Sequence, residues 1–146
     1  MPIIHSKIIA AEAKVSGPQS IITVLQDYYR ECLPGEQACI MNTGYYVYEV
    51  SLGDGDIFSS LYINPRSSSG ISFMVFGLSG QIDIASLNVF AKRRGKGLGT
   101  RLLTPLLRYY RENHFQQITL ISSRSAKTFW LKQAERNPDI NFNLRG

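Results

Sequence analysis

The chain has 146 residues, 44% of them hydrophobic and 18% charged, with a net charge of +5. That length supports one domain, expected over 1–146, with its own core and no need of disulfide or metal staples, and no apolar run nears the ~20 residues of a membrane-spanning helix. The charge is uneven: residues 1–91 hold four basic side chains against eight acidic ones, net −4, and residues 92–146 hold twelve against three, net +9. The opening Met1-Pro2-Ile3-Ile4-His5-Ser6-Lys7 lacks the features of a secretory leader, so the expected location is cytoplasmic.

Residues 7–15 read as a first strand ended by Ser16-Gly17-Pro18, where proline suits the first position of a helix. Ile21, Ile22, Leu25, Tyr28, Tyr29 and Cys32 then recur at helical spacing, predicting an amphipathic helix over 18–33 that stops at Pro34-Gly35. Cys39 falls in the loop that follows. Its spacing from Cys32 matches neither a zinc site nor a redox pair, so both are expected as reduced thiols. His5 and His114 have no clustered partners, and no metal site is expected. Runs rich in β-branched and aromatic residues at 45–51, 57–63, 71–76 and 82–90 predict an antiparallel meander. Gly53-Asp54-Gly55, a serine run and Leu78-Ser79-Gly80 supply its turns. The pattern then changes to a helix at 98–113, a buried strand at 117–121, a helix at 125–136 and a short strand at 140–144. Pro105 lies inside the first of these helices, predicting a kink or a restart capped by Thr104.

Two local features point to chemistry. Ile82 and Ile84 occupy even positions and Leu87 and Val89 odd ones, so the apolar face changes parity near Ala85-Ser86. One inserted residue, a β-bulge, restores a single buried face and frees backbone amides; a strand buried on both faces is the alternative. Immediately downstream, Arg94-Gly95-Lys96-Gly97-Leu98-Gly99-Thr100 opens onto the helix-like Arg101-Leu102-Leu103. Glycines let backbone approach a ligand closely, and a helix start directs unpaired N–H groups at it. Lys92, Arg93, Arg94, Lys96 and Arg101 crowd around this turn, which suits a small polyphosphate better than a nucleic-acid surface. The spacing is neither that of a Walker A loop nor that of a Rossmann turn, and a plain strand-to-helix connection is the other reading.

Together these residues resemble the GNAT superfamily of acetyltransferases. Arg94, Gly97 and Gly99 meet the family's Q/R-x-x-G-x-G/A motif, and Ser86-Leu87-Asn88-Val89 is similar to its bulged fourth strand. Ile118-Thr119-Leu120-Ile121-Ser122-Ser123 resembles the fifth strand, and Ala126-Lys127-Thr128-Phe129-Trp130 the start of the next helix, so the likeness spans residues 82–130. It implies an α/β (α+β) fold: a mixed, mostly antiparallel central sheet with helices on both faces and splayed fourth and fifth strands. It further implies acetyl-CoA as cofactor, its diphosphate held by the amides of Gly95, Lys96, Gly97, Leu98, Gly99 and Thr100. Arg94, Lys96 and Lys92 would supply charge, the pantetheine arm would lie along Leu87, Asn88 and Val89, and Ser123 would border it. An amide near Leu87 would meet the thioester oxygen as it gains charge.

The acid and base follow less directly. An attacking amine must lose a proton, so a carboxylate or a water held by one is needed. Asp83 is the first candidate and Glu49 the second; both also read as exposed strand carboxylates. The family's acid is a tyrosine four residues after the alanine matched to Ala126, and here that position is Trp130, whose indole has no proton to give. Ser122, Ser123 or a water then serves, or the thiolate leaves unassisted. Ala134-Glu135 replaces the family's Gly-Phe, and the residues up to Gly146 have room for one terminal strand rather than two. The acceptor side is then open or completed by a partner subunit in a homodimer. The leading expectation is direct N-acetyl transfer to an amine of a small molecule or protein, with the acidic half favouring a cationic acceptor. Tyr45, Tyr46, Tyr48 and Tyr62 either line that side or pack in the sheet. The alternatives are a non-catalytic acyl-CoA-binding module and an acetyltransferase toxin acting on aminoacyl-tRNA; no other nucleic acid and no membrane is expected.

Overall fold

The computed structural model describes residues 18–52 and 69–145. The expected strands at 7–15 and 57–63, the Gly53-Asp54-Gly55 turn and Tyr62 lie outside them. Helix α1, Pro18–Cys32, turns Ile22, Leu25 and Tyr29 fully inward, as the helical spacing requires. The chain then enters β1, Ala38–Asn42, so Cys39 lies on a strand and not in the expected loop. Only Ala38 and Ile40 point inward there. So short an alternation is a weak local signal, and pairing with β2 (Val47–Leu52), with Ile40 opposite Val50, is what makes it a strand.

Strands β3 (Gly70–Phe76) and β4 (Gln81–Asn88) continue the antiparallel meander. Helix α2 (Leu98–Glu112) carries the chain back to β5 (Gln117–Ile121), parallel to β4. A 3₁₀ turn (Arg124–Ala126) leads into α3 (Lys127–Arg136), and β6 (Phe142–Arg145) pairs parallel to β5. Parallel neighbours need such crossover helices, because a tight turn reverses direction. The sheet order is β1-β2-β3-β4-β5-β6. One core takes Val50, Ile71, Phe73, Ile82 and Leu120 from the strands, Leu102, Leu103 and Leu106 from α2, and Trp130 from α3. The Tyr29 hydroxyl donates to the Leu102 carbonyl at 2.7 Å, fixing α1 against α2. Helix α2 runs unbroken through the buried Pro105, so the expected restart does not occur. Thr104 is no cap there; its hydroxyl donates back to the Thr100 carbonyl at 2.7 Å.

The register of β3 and β4 skips one residue: Ser72 faces Ser86 and Phe73 faces Ile84, leaving Ala85 without a partner. This is the bulge that the parity change predicted, and it returns Leu87 to the face of Ile82 and Ile84. The ladder to β5 ends at Ile84 opposite Leu120. Beyond that point β5 stays with β6, Ser122 N–H reaching the Arg145 carbonyl at 3.1 Å. β4 stays with β3, where Phe90 N–H donates to the buried Ser69 Oγ at 2.8 Å. The two strands therefore part.

Gly70 begins β3 at the far end of that gap, where an added Cβ would stand 2.4 Å from the Val50 carbonyl oxygen. Gly70→Ala is expected to destabilise the fold by about 2 kcal/mol, since backbone and not a flexible side chain must move. Thermal unfolding should show a midpoint roughly 4–8 °C lower; an unchanged midpoint would contradict this packing.

Candidate functional site

The parting strands open a cleft of 460 Å³ bordered by Leu87, Asn88, Val89, the glycine turn, Thr100 and Ser123. Backbone direction along β4 decides what faces it. Phe90 N–H turns toward β3 to meet Ser69, and alternation then turns the N–H groups of Leu87 and Val89 to the side that β5 has left. The Val89 carbonyl agrees, because it accepts from Arg94 Nε at 3.0 Å on that side. A strand edge with free donors can hold an extended amide chain as another strand would.

The turn below this edge is built by left-handed backbone. Gly95 and Gly97 have φ of 80° and 78°, a region closed to most side chains, and nothing would lie within 4 Å of a Cβ at either. Gly97 is the N-cap of α2 and brings no side chain to satisfy the helix start. The first helical bond runs from Arg101 N–H to the Gly97 carbonyl at 3.1 Å. The N–H groups of Leu98, Gly99 and Thr100 thus have no helical acceptor and point out of the helix end. Gly99 is required for another reason: a Cβ there would meet the Phe129 ring at 3.2 Å, so α2 and α3 touch over a bare backbone.

Five basic side chains were expected at this turn, and the structure divides them. Arg93 is tied to Glu36 by two hydrogen bonds, one of them 3.1 Å from Nη1 to Oε1, and serves the fold. Lys92, Arg94 and Lys96 are exposed and Arg101 is half-buried, and none of these four has an ion pair among the described residues. Around the cleft there is consequently an excess of positive charge and of N–H donors, with no carboxylate among its lining residues.

Ser123 lies on the cleft wall, where its Oγ accepts from Ala126 N–H at 3.3 Å and caps the 3₁₀ turn. Trp130 is 4% exposed, edge-on to Phe129 at 5.0 Å, and packs as a core residue that also forms the cleft floor. On the opposite face of the sheet, Glu49, Ser72 and Ser86 form one row across three strands. The two serine hydroxyls are 2.7 Å apart, and a small cavity beside them shares Asn88 with the cleft. Asp83 lies on that same face before the bulge, where Thr119 donates its hydroxyl to Oδ1 at 2.8 Å. The structure thus sets Glu49 on β2, two strands from β4 in the row of Ser72 and Ser86, and Asp83 on the still-paired part of β4. Tyr48 is buried and stacked on Phe73 at 5.5 Å, so of the tyrosines expected to line or pack it is a packing residue. Cys32 and Cys39 are both held as neutral thiols, in each case first by burial and then by a carboxylate, Glu31 or Glu49.

Residues 26–134, well over half of the chain, match the sequence profile of the Acetyltransferase (GNAT) family. The chain belongs to that family. Among solved structures it is similar to Tetrahymena GCN5, at 16% identity and a TM-score of 0.47, over 78% of this chain and 68% of that one. None of the curated proteins matches it. The GNAT fold accounts for the mixed, mostly antiparallel sheet and the bulged strand. Sequence reasoning missed Phe129 as the partner of Gly99, Ser69 as the anchor of Phe90, and Gln133, which reaches Thr100. A buried glutamine in an amphipathic helix is the one signal that was open to reading.

The two kinds of glycine should behave differently. Gly97→Ala is expected to cost about 1 kcal/mol through φ alone, with no relief from any neighbouring substitution. Gly99→Ala is expected to cost about as much through Phe129, and Phe129→Leu should relieve it. Chemical denaturation of the single and double variants reads this; strictly additive losses for Gly99 and Phe129 would contradict the contact.

Proposed function

We propose that this GNAT protein is an N-acetyltransferase that passes the acetyl group of acetyl-CoA directly to a cationic amine. The observation that carries this reading is the conjunction of a free β4 edge with an uncapped, basic helix start at one end of a single cleft. The residues present fit the cofactor. The open amides of α2 and the cations Arg94, Lys96 and Lys92 suit a diphosphate. The outward N–H groups of Leu87 and Val89 suit the amides of a pantetheine arm. When bound, acetyl-CoA supplies an activated acyl group and a thiol leaving group.

The chain's own part is to place and to polarise. Leu87 N–H, fixed by the bulge, donates to the thioester oxygen as negative charge builds there; a preorganised donor of this kind contributes about 10²–10³ in rate. Glu49 takes the proton of the incoming ammonium, directly or through the Ser72 and Ser86 hydroxyls, with Asp83 second in line. Glu49 and Asp83 have no ion-pair partner among the described residues, whereas Glu31 and Glu36 are bound to Arg108 and Arg93. That leaves the acceptor face its negative charge where a cationic amine approaches. Ser123 or a water protonates the departing sulfur, in the absence of a tyrosine among the cleft residues. Neutral thiols at Cys32 and Cys39, neither on the cleft, leave no acyl-cysteine route among the described residues and favour direct attack.

Trp130 in the place of the family's tyrosine favours one other reading, a module that binds acyl-CoA without turnover. Mass spectrometry of a mixed panel of amines, lysine peptides and aminoacyl-tRNA incubated with acetyl-CoA separates the two. Acetylation of a cationic amine is expected; CoA binding with no product from any acceptor supports the module. Gly97→Asp, which sets a carboxylate against the diphosphate, should lower CoA affinity at least tenfold. Glu49→Gln should leave CoA affinity unchanged and slow transfer by about 10²-fold or more, and an equal rate would remove Glu49 from the mechanism.

A further inference from the structure

Gln133 is 2% exposed, on the inward side of α3, where the amphipathic pattern calls for an apolar residue. Its Nε2 donates to Thr100 Oγ1 at 2.9 Å, joining α3 to the third residue of α2. Burying an amide among apolar side chains is costly unless it makes such a bond. The bond joins two helices, and the chemistry of its acceptor gives it a second consequence.

A threonine hydroxyl has one proton and two lone pairs. Within a helix it commonly donates that proton to the carbonyl four residues back, as Thr104 does to Thr100 at 2.7 Å. No such bond joins Thr100 to Lys96 among the described residues. Because Gln133 gives a proton to Oγ1, the proton of Thr100 itself points elsewhere, and Thr100 lines the cleft at the end of α2. The same residue has one of the N–H groups without a helical acceptor. Backbone and side chain of Thr100 therefore offer two donors to one place.

We infer that Gln133 is a positioning residue of the anion site: by occupying a lone pair of Thr100 Oγ1, it commits the threonine hydroxyl as a donor to a phosphate oxygen of the cofactor. The inference rests on the acyl-CoA reading above. It assigns to a residue of α3, which itself needs no contact with the ligand, control over how strongly the start of α2 binds a diphosphate.

The test is a double-mutant cycle on CoA affinity, read by calorimetry, with Gln133→Leu, Thr100→Val and the double variant. A hydrogen bond to a charged group is worth about tenfold in affinity or more. Each single variant is expected to lose about that much, and the double variant no more than either alone. Additive losses, or wild-type affinity in Gln133→Leu, would overturn the inference. Gln133→Glu keeps the shape but can only accept, so it draws the Thr100 proton away from the ligand; it should also lose at least tenfold, and it serves if the leucine variant fails to fold. With an acceptor in hand, KM for acetyl-CoA should rise while KM for S-acetylpantetheine, which lacks the diphosphate, stays at its wild-type value; a rise in both marks a merely structural role. If the wild-type chain does not bind CoA, the acyl-CoA reading fails and this inference falls with it. If wild type binds and the variants bind equally, only the inference falls.

Discussion

The ladder between β4 and β5 runs from Gln81 opposite Gln117 to Ile84 opposite Leu120 and then stops. It stops next to Ala85, which has no partner in the register that β4 keeps with β3; such a bulge bends the strand and locally disrupts its ladder. Each strand follows the neighbour with which it still pairs. β4 is held to β3 by Gly70 opposite Asn88 and by the Phe90 to Ser69 bond; β5 is held to β6 by Ile121 opposite Arg145. The cleft is what remains between them. Its unpaired amides are tolerable because they face solvent or ligand, whereas the same groups left unpaired in the core would cost about 1–3 kcal/mol each.

The helix start below the gap completes the site by the same kind of omission. Gly97 caps α2 without a side chain, and Gly99 lets the Phe129 ring lie against bare backbone. Polar groups that most folds satisfy internally are here turned toward one opening. The surrounding charge is arranged to match. Arg93 is neutralised by Glu36 and closes the loop after α1 onto the turn, while Arg94 is steered by its bond to the Val89 carbonyl. The acidic first half and the basic second half of the chain thus divide their charges between cross-links and free groups.

The two faces of the sheet have different chemistry at the gap. The face that carries the core meets the cleft through Leu87, Val89, Phe129 and Trp130, an apolar wall suited to a long flexible arm. The other face presents Glu49, Ser72, Ser86 and Asn88, a polar strip suited to an amine and its proton. Asn88 borders both. The proposed transfer uses one face for the acyl group and the other for the proton, and the difference between the two faces follows from strand alternation on either side of the bulge.

Much of this was legible in the residues, and the reason is range. The parity change at Ala85-Ser86 and the glycine turn are statements about a few neighbouring residues: which way a strand faces, and which backbone angles a side chain forbids. The helical spacing of α1 and the buried run of β5 are local in the same sense. β1 was not legible, because Ala38 and Ile40 form too short an alternation and the strand exists through its pairing with β2. Nor was the continuity of α2 through Pro105, where burial on the core outweighs one lost hydrogen bond. By itself, then, the sequence determined the bulge, the bare turn and the charge beside it, since each depends on residues within a short reach of backbone. Tertiary structure alone decided that Arg93 belongs to Glu36, 57 positions away, that Gln133 reaches Thr100 across 33, and that Glu49 lines up with Ser72 and Ser86 across three strands. Those pairings are made by strand register and helix docking, which no local pattern encodes.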